Sequence, residues 1–311
     1  MKQLSKIIFL LVLIFSTSHV FAQTDWTKRT EIQKKQLIQE WINTENKTDS
    51  ILNNLGYAYS NGIGIEQDYK KAFEYYEKAV QKNFALAYNN LGDMYKEGRY
   101  VEKNLKKALI YIQKAASSNE KYGMTNLAGM YEEGIGVQQN IDSAIFWYEK
   151  AVKLNHIPAI NNLGSIYLAD TTKQDFDKAR YYFEICAEAN EPMAMLNLLQ
   201  MYKNGLGVEK DYTKAMKYAE KAALLGNPIG FFEYGNFYCN GEGVKKDMST
   251  ALQLYEEASK RGYTLAQINV AYMFETGQGT EKNMEKALFW YKEAAKAGDE
   301  YAIKRLKELD K

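Results

Sequence analysis

Apolar residues recur along this chain with a period of about 36 residues. One apolar position, here called the anchor, is found seven times at spacings of 36, 36, 36, 35, 36 and 36 residues. Four residues before each anchor lies a small or apolar residue and four residues after it an aromatic one, a spacing that places all three on one helical face. The anchors are Leu55, Leu91, Leu127, Leu163, Leu198, Tyr234 and Val270. A period this regular predicts a solenoid of stacked units.

A second helix is predicted in each unit. Sixteen or seventeen residues beyond the anchor every unit has an alanine, which is usually followed by aromatic residues three and four positions later. We call the helix around the anchor helix A and the helix around this alanine helix B. The alanines are Ala72, Ala108, Ala144, Ala179, Ala215, Ala251 and Ala287.

Polar residues and glycines mark the predicted ends of these helices. Four residues before each helix B alanine lies an Asp or Asn, whose side-chain oxygen can accept a hydrogen bond from the first turn. These predicted N-caps are Asp68, Asn104, Asn140, Asp175, Asp211, Asp247 and Asn283. Beyond helix B an Asn or Gly recurs, and both tolerate the left-handed conformation that ends a helix. These predicted positive-φ residues are Asn83, Asn119, Asn155, Asn190, Gly226, Gly262 and Gly298.

The assembled unit reads A-x-x-x-L-G-x-x-Y-x-x-G-x-G-V-x-x-D-x-x-K-A-x-x-Y-Y-x-K-A. This string resembles the Sel-one-like repeat (SLR) family, a relative of the tetratricopeptide repeat. The resemblance implies an all-α fold, an α/α solenoid wound as a right-handed superhelix of helix-turn-helix repeats of about 36 residues. It also implies a scaffold for other proteins that binds a protein or peptide partner through its concave surface. The residues that contact a partner are not part of the family signature.

Four segments are predicted along the chain. Residues 1–22 carry Lys2 and Lys6, an apolar stretch, and Val-Phe-Ala before Gln23, which is typical of a secretory signal peptide. Residues 23–48 contain an amphipathic capping helix, residues 49–298 hold the seven repeats, and residues 299–311 form a C-terminal capping helix. The apolar stretch is too short to span a bilayer. We therefore expect an exported protein, periplasmic or extracellular, without a stable membrane anchor.

Charge and cysteine content narrow the partner class. The chain has 40 basic and 39 acidic residues, and such a balance argues against nucleic acid, which requires clustered positive charge. The only cysteines, Cys186 and Cys239, lie on helices with a whole repeat between them. The distance between their Cα atoms should exceed the roughly 7 Å that a disulfide can bridge. We expect two free thiols, unlike the paired cysteines of the secreted cysteine-rich SLR proteins.

No cofactor, metal site or enzymatic activity is predicted. Beyond the predicted signal peptide the one histidine is His156, which excludes multi-histidine zinc sites and suggests a structural or exposed residue. The G-x-G turns between the helices lack the Lys and Ser/Thr of a phosphate-binding loop. Ser118 and Lys121 match the S-x-x-K motif of penicillin-recognising enzymes, but the companion motifs of those enzymes are missing. A cell-wall-associated or β-lactam-binding hydrolase is the alternative function.

Two sets of helix A positions are candidates for partner binding. The residue before the anchor is Asn in six of the seven units: Asn54, Asn90, Asn126, Asn162, Asn197 and Asn269, with Glu233 in the sixth. These asparagines either bond a neighbouring helix or grip the backbone of an extended peptide.

Two residues before the anchor, the chain changes from mainly polar to apolar residues: Leu196, Phe232 and Ile268 in the last three units. Either tighter packing buries these side chains, or they form an exposed strip for a partner. The predicted site consists of Leu196, Phe232 and Ile268, flanked by Asn197 and Asn269.

Overall fold

The computed structural model describes residues 26–310. The predicted signal peptide, residues 1–22, lies outside this range. The described residues form sixteen helices and no strand. The helices are α1 (Glu31–Asn43), α2 (Asp49–Asn61), α3 (Tyr69–Gln81), α4 (Ala85–Glu97), α5 (Leu105–Ser117), α6 (Lys121–Glu133), α7 (Ile141–Val152), α8 (Ile157–Ala169), α9 (Phe176–Glu188), α10 (Pro192–Asn204), α11 (Tyr212–Leu224), α12 (Pro228–Asn240), α13 (Met248–Lys260), α14 (Thr264–Thr276), α15 (Met284–Lys296) and α16 (Glu300–Leu309).

The helices are packed in consecutive A and B pairs within two compact units, one extending to Ala159 and the other starting at Ile160. In the first unit α2 packs on α3, α4 on α5 and α6 on α7, and α3 and α5 also contact the A helices that follow them, α4 and α6. In the second unit the pairs α10–α11, α12–α13 and α14–α15 repeat this arrangement, and α16 packs on α15. The predicted all-α repeat solenoid is confirmed.

The helix ends follow the sequence prediction. All seven predicted N-caps accept a hydrogen bond from a backbone N–H of the first turn of helix B. The four predicted asparagines have φ between 53° and 61°, and the three glycines have φ between 81° and 86°. One position was not anticipated: Tyr100 has φ 66° where five other units have the second turn glycine. Its ring lies 5.6 Å from that of Phe73, a contact that helps to offset the cost of a left-handed tyrosine.

The core of each repeat depends on a close approach of helix A to helix B. The helix B alanine is fully buried in all seven repeats. After the anchor comes a glycine in four repeats, and a Cβ added there would lie 2.5 to 2.9 Å from a large side chain of helix B. These pairs are Gly56 with Tyr76, Gly92 with Ile112, Gly164 with Phe183 and Gly235 with Tyr255. In the fifth repeat the equivalent residues are Leu199 and Ala219, both fully buried in one core cluster. A large residue on one helix is thus matched by a small one on the other.

His156 is a buried residue at a repeat junction. Its Nδ1 atom lies 2.7 Å from the Thr125 hydroxyl oxygen, and its ring is 4.7 Å from that of Tyr122 in an edge-to-face contact. Burial, assisted by the positive charge of Lys121, lowers the pKa of His156 to about 4. The histidine is therefore neutral and structural at pH 7.

The size matching at Leu199 and Ala219 can be tested by a double-mutant cycle. We expect Leu199→Gly and Ala219→Tyr each to destabilise the protein by about 2–5 kcal/mol, the first through a cavity and the second through overpacking. The double variant recreates the Gly and Tyr of other repeats and should recover most of that loss. Chemical denaturation of the four proteins measures the coupling free energy. Simple additivity of the two losses would contradict the matched contact.

His156 should also make stability depend on pH. Its pKa in the folded protein is below the unfolded value of about 6.5, so the unfolded chain binds the proton first as pH falls. Its stabilising effect is complete above pH 6.5 and is lost as pH falls from about 6.5 to 4. At pH 5 the loss of unfolding free energy is about 2 kcal/mol. His156→Gln should reduce the difference in unfolding free energy between pH 7 and pH 5 by that amount. Equal pH dependence in both proteins would exclude this role.

Candidate partner-binding site

The asparagine row of helix A has a structural role in the first compact unit. The Nδ2 atom of Asn90 donates a hydrogen bond to the Oδ1 atom of Asn53 at 2.9 Å, and Asn126 donates to Asn89 at 2.8 Å. Asn53 and Asn89, which lie two residues before their anchors, are buried. Each pair therefore joins the A helices of adjacent repeats, and the structural interpretation is confirmed for these asparagines.

In the second compact unit this pairing is not continued. Asn161 and Asn197 occupy the same two positions as Asn53 and Asn90, but the buried Oδ1 atom of Asn161 accepts no hydrogen bond. The side chain of Asn197 is half-buried and makes no hydrogen bond within residues 26–310. In the next repeat Glu233 replaces the asparagine and forms an ion pair with Lys203, with 3.2 Å between the Oε2 and Nζ atoms. Asn269 lies beside the hydroxyl of Tyr255.

The predicted apolar strip needs a correction at Leu196. Leu196 is 7% exposed and belongs to a core cluster with Met195 and Leu199, so it is not part of an exposed strip. The reason is the close packing of adjacent A helices, which buries this position as it buries Asn53.

Phe232 and Ile268 remain half-buried, and both pack against the core cluster around Tyr255. The ring of Phe232 lies 5.4 Å from that of Tyr255 and 5.1 Å from that of Tyr263. Part of each side chain therefore supports the core, while the remainder is accessible.

Helix α14 adds two exposed apolar residues that the sequence analysis missed. Leu265 is 51% exposed and Tyr272 is 44% exposed. With Ile268 they are spaced three and four residues apart, so they share one face of α14. The residue five before the anchor is apolar in each of the last three repeats: Met193, Ile229 and Leu265. This second apolar row was available in the sequence as a signal. We call Phe232, Leu265, Ile268 and Tyr272, with Asn161 and Asn197, the helix A face.

The other candidate groups show no arrangement for catalysis. Ser118 is an exposed residue at the end of α5, and no hydrogen bond joins its side chain to Lys121 within the described residues. The carboxylate of Glu120, which lies between them, caps α6 by accepting a hydrogen bond from the N–H of Gly123 at 2.6 Å. This stretch of chain serves a repeat junction.

Neither Cys186 nor Cys239 forms a disulfide, as predicted. Burial raises the pKa of Cys186 to about 11, so its thiol is protonated at neutral pH. Across residues 26–310 no group of three or more His, Cys, Asp or Glu residues is placed to hold a metal ion. Over the same range, no helix combines the length and the apolar character needed to cross a membrane.

Comparison with known proteins agrees with this architecture. The Sel1 repeat model matches residues 52–84, 85–120, 121–156, 157–191, 192–227, 232–263 and 264–299. No curated protein matches the chain.

Two solved structures are similar over most of the chain. A Sel1 repeat protein from Oxalobacter formigenes is 25% identical, with a TM-score of 0.73, and the match covers 91% of this chain and 83% of the other. The protective antigen c5321 of uropathogenic Escherichia coli, which has an SLR fold, is 27% identical with a TM-score of 0.66. That match covers 88% of this chain but only 63% of the antigen. Sel1 repeat proteins are commonly scaffolds for protein–protein interaction. With seven matched repeats, the chain belongs to the Sel1 repeat family.

Proposed function

We propose that this protein is an exported, non-enzymatic scaffold that binds a peptide segment of a protein partner along the helix A face of its second compact unit. The observation that carries the proposal is the interruption of the asparagine pairing at Asn161 and Asn197. Pairing at these positions joins A helices in the first unit, so two unpaired amides in the second mark a place where the fold leaves hydrogen-bonding capacity unused.

The chemistry of these groups fits an extended peptide. A buried oxygen without a hydrogen bond carries a free-energy penalty of about 1–3 kcal/mol. The Asn161 oxygen is itself buried, so this half-buried side chain must rotate before a peptide N–H can donate to it and remove that penalty. The Asn197 amide can donate to the peptide carbonyl and accept from its N–H. The apolar residues Phe232, Leu265, Ile268 and Tyr272 supply surface for the side chains of the peptide. We place this face on the concave side expected for the repeat.

Export and the absence of catalysis are part of the same proposal. Export is supported by the basic, apolar and small-residue pattern of residues 1–22. A non-enzymatic role is supported by Ser118, which has no hydrogen-bonded base in its turn. Hydrolysis of a β-lactam by the purified protein, lost in Ser118→Ala, would instead establish the hydrolase alternative.

The partner can be captured by site-specific photocrosslinking. A photoreactive amino acid at Leu265, on the helix A face, should crosslink a protein partner in cells of the source organism after export. The same group at Lys217, an exposed residue of helix B in the fifth repeat, is the matched control. Mass spectrometry identifies the attached protein, and cell fractionation locates the complex. Equal labelling from both positions, or a crosslinked product confined to the cytoplasm, would contradict the proposal.

Substitutions at two equivalent asparagines distinguish an effect on partner binding from an effect on stability. Asn197→Ala should reduce the crosslinking yield from position 265 by about fivefold to tenfold, the effect of removing one or two hydrogen bonds, with no change in melting temperature. Asn90→Ala removes a hydrogen bond to the buried Asn53 and should destabilise the protein by about 1–3 kcal/mol without affecting capture. If Asn197→Ala lowers stability like Asn90→Ala and leaves capture intact, Asn197 is structural.

A further inference from the structure

The first compact unit has three open grooves along the C-terminal halves of its B helices. Their volumes are 590, 470 and 500 Å³. Lysines at equivalent positions in three consecutive repeats, Lys78, Lys114 and Lys150, each line one groove. Lys82 and Lys153 line the first and third grooves. We call this surface the lysine edge.

The charge of the lysine edge is not compensated within the unit. Among the residues that line the three grooves, Glu45 is the one acid. None of the five lysines of the lysine edge has a carboxylate oxygen within 4.0 Å in the described part of the chain. A sixth lysine, Lys47, is held by the backbone carbonyls of Ile42 and Thr44.

Aromatic rings position three of these ammonium groups. Lys78 lies over Tyr75 at 5.5 Å and Lys114 over Tyr88 at 5.6 Å, measured from Nζ to the ring centroid. Cation–π contacts restrict where an ammonium group lies and leave its charge in place.

Lys150 makes the shortest of these contacts. Its Nζ atom lies 4.5 Å from the ring centroid of Phe146 and 4.6 Å from that of Trp147. Three of the five lysines of the lysine edge are therefore cations held in place by aromatic rings and without an ion-pair partner.

Helix electrostatics alone do not account for this arrangement. Lysine is favoured in the last turn of a helix because it interacts with the negative end of the helix dipole. In the sixth and seventh repeats, however, the equivalent positions are Glu257 and Glu293. Glu257 pairs with Lys260 and Arg261, and Glu293 pairs with Lys296. The same turn of helix B thus folds with an acid and an internal ion pair in these two repeats. In the fifth repeat Lys221 lies over the ring of Tyr218 at 5.6 Å and has no carboxylate oxygen within 4.0 Å among the described residues, but the first three repeats are the ones in which such lysines follow one another in consecutive units.

Apolar side chains lie between the lysines. Ile110 is 53% exposed in the second groove, and the half-buried Trp147 and Leu154 line the third groove. These residues provide apolar contacts that a purely ionic ligand would not use. The grooves contain no arginine, the side chain best suited to bidentate phosphate recognition.

We propose that the lysine edge binds an acidic peptide segment in which apolar residues separate the carboxylates. The carboxylates pair with Lys78, Lys114 and Lys150, and the apolar residues occupy the grooves beside Ile110 and Trp147. Successive B helices are separated by at least one helix diameter, roughly 10–12 Å. An extended chain rises about 3.3 Å per residue, so the carboxylates recur every three to four residues. This surface is distinct from the helix A face, and its partner is of a different chemical class.

The experiment uses fluorescently labelled peptides of about 12 residues, long enough to follow three grooves in extended form. In the test peptide glutamates recur every third or fourth residue with leucine and phenylalanine between them. One comparison peptide has lysine in place of glutamate, and another has glycine in place of the apolar residues. Fluorescence anisotropy with the full-length protein gives the dissociation constants. We expect the acidic, apolar peptide to bind most tightly and to lose affinity as ionic strength rises.

Charge-reversal variants test whether the lysines of the lysine edge bind the peptide. Lys78→Glu, Lys114→Glu and Lys150→Glu combined should raise the dissociation constant by about tenfold or more. The control variant combines Lys70→Glu, Lys103→Glu and Lys106→Glu, which are exposed residues of the same unit outside the grooves. It makes the same change of net charge and should change the dissociation constant by about twofold or less. Circular dichroism and melting temperature confirm that both variants fold.

Several results would overturn the proposal. One is equal loss of affinity in both triple variants, which would indicate attraction by net charge alone. A second is equal binding of the glycine-containing peptide, which would show that the apolar grooves are not used. A third is absence of peptide binding together with binding to phosphatidylglycerol vesicles, which would assign the surface to anionic lipid.

Discussion

The close contact between helix A and helix B within a repeat is the constraint on which the other features of this structure depend. A fully buried alanine on helix B lets the two helices approach, and the residue after the anchor must then match the size of the side chain opposite. Where helix B has Tyr76 or Ile112, helix A has a glycine whose Cβ would lie 2.6 or 2.5 Å from that side chain. Close packing of interiors makes such contacts sensitive to a single methylene group. The fifth repeat satisfies the same constraint with the sizes reversed.

This constraint determines which positions can acquire a binding function. The anchor, the helix B alanine and the caps are occupied by packing and by helix ends in every repeat. The side of helix A opposite the anchor is only partly buried by the neighbouring A helices, the C-terminal edge of helix B is exposed in part, and both vary along the chain. Because each repeat in a solenoid contacts mainly its neighbours, one stretch can change its surface without disturbing distant repeats. The helix A face and the lysine edge lie on these two variable surfaces.

The sequence predicted those features that depend on local geometry. N-caps and left-handed residues are determined within a few positions, so Asp68 and Asn119 could be assigned from their neighbours alone. Burial between repeats was harder to predict. The position two residues before the anchor faces away from helix B, yet Leu196 is buried there and Ile268 is half-buried. That difference depends on how closely successive A helices approach, a distance that a repeat period does not specify.

The candidate site was less predictable than the fold for the same physical reason. The asparagine row was visible in the sequence, but whether an amide is paired depends on how closely it approaches the side chain opposite it in the preceding repeat. Asn126 bonds to Asn89, whereas Asn197 and Asn161 have the same residue types at the same positions and remain unpaired. Identical residues in identical repeat positions are therefore paired across adjacent A helices in one place and unpaired in another. In a repeat protein of this kind, unused hydrogen-bonding capacity identifies a candidate binding surface better than residue identity does.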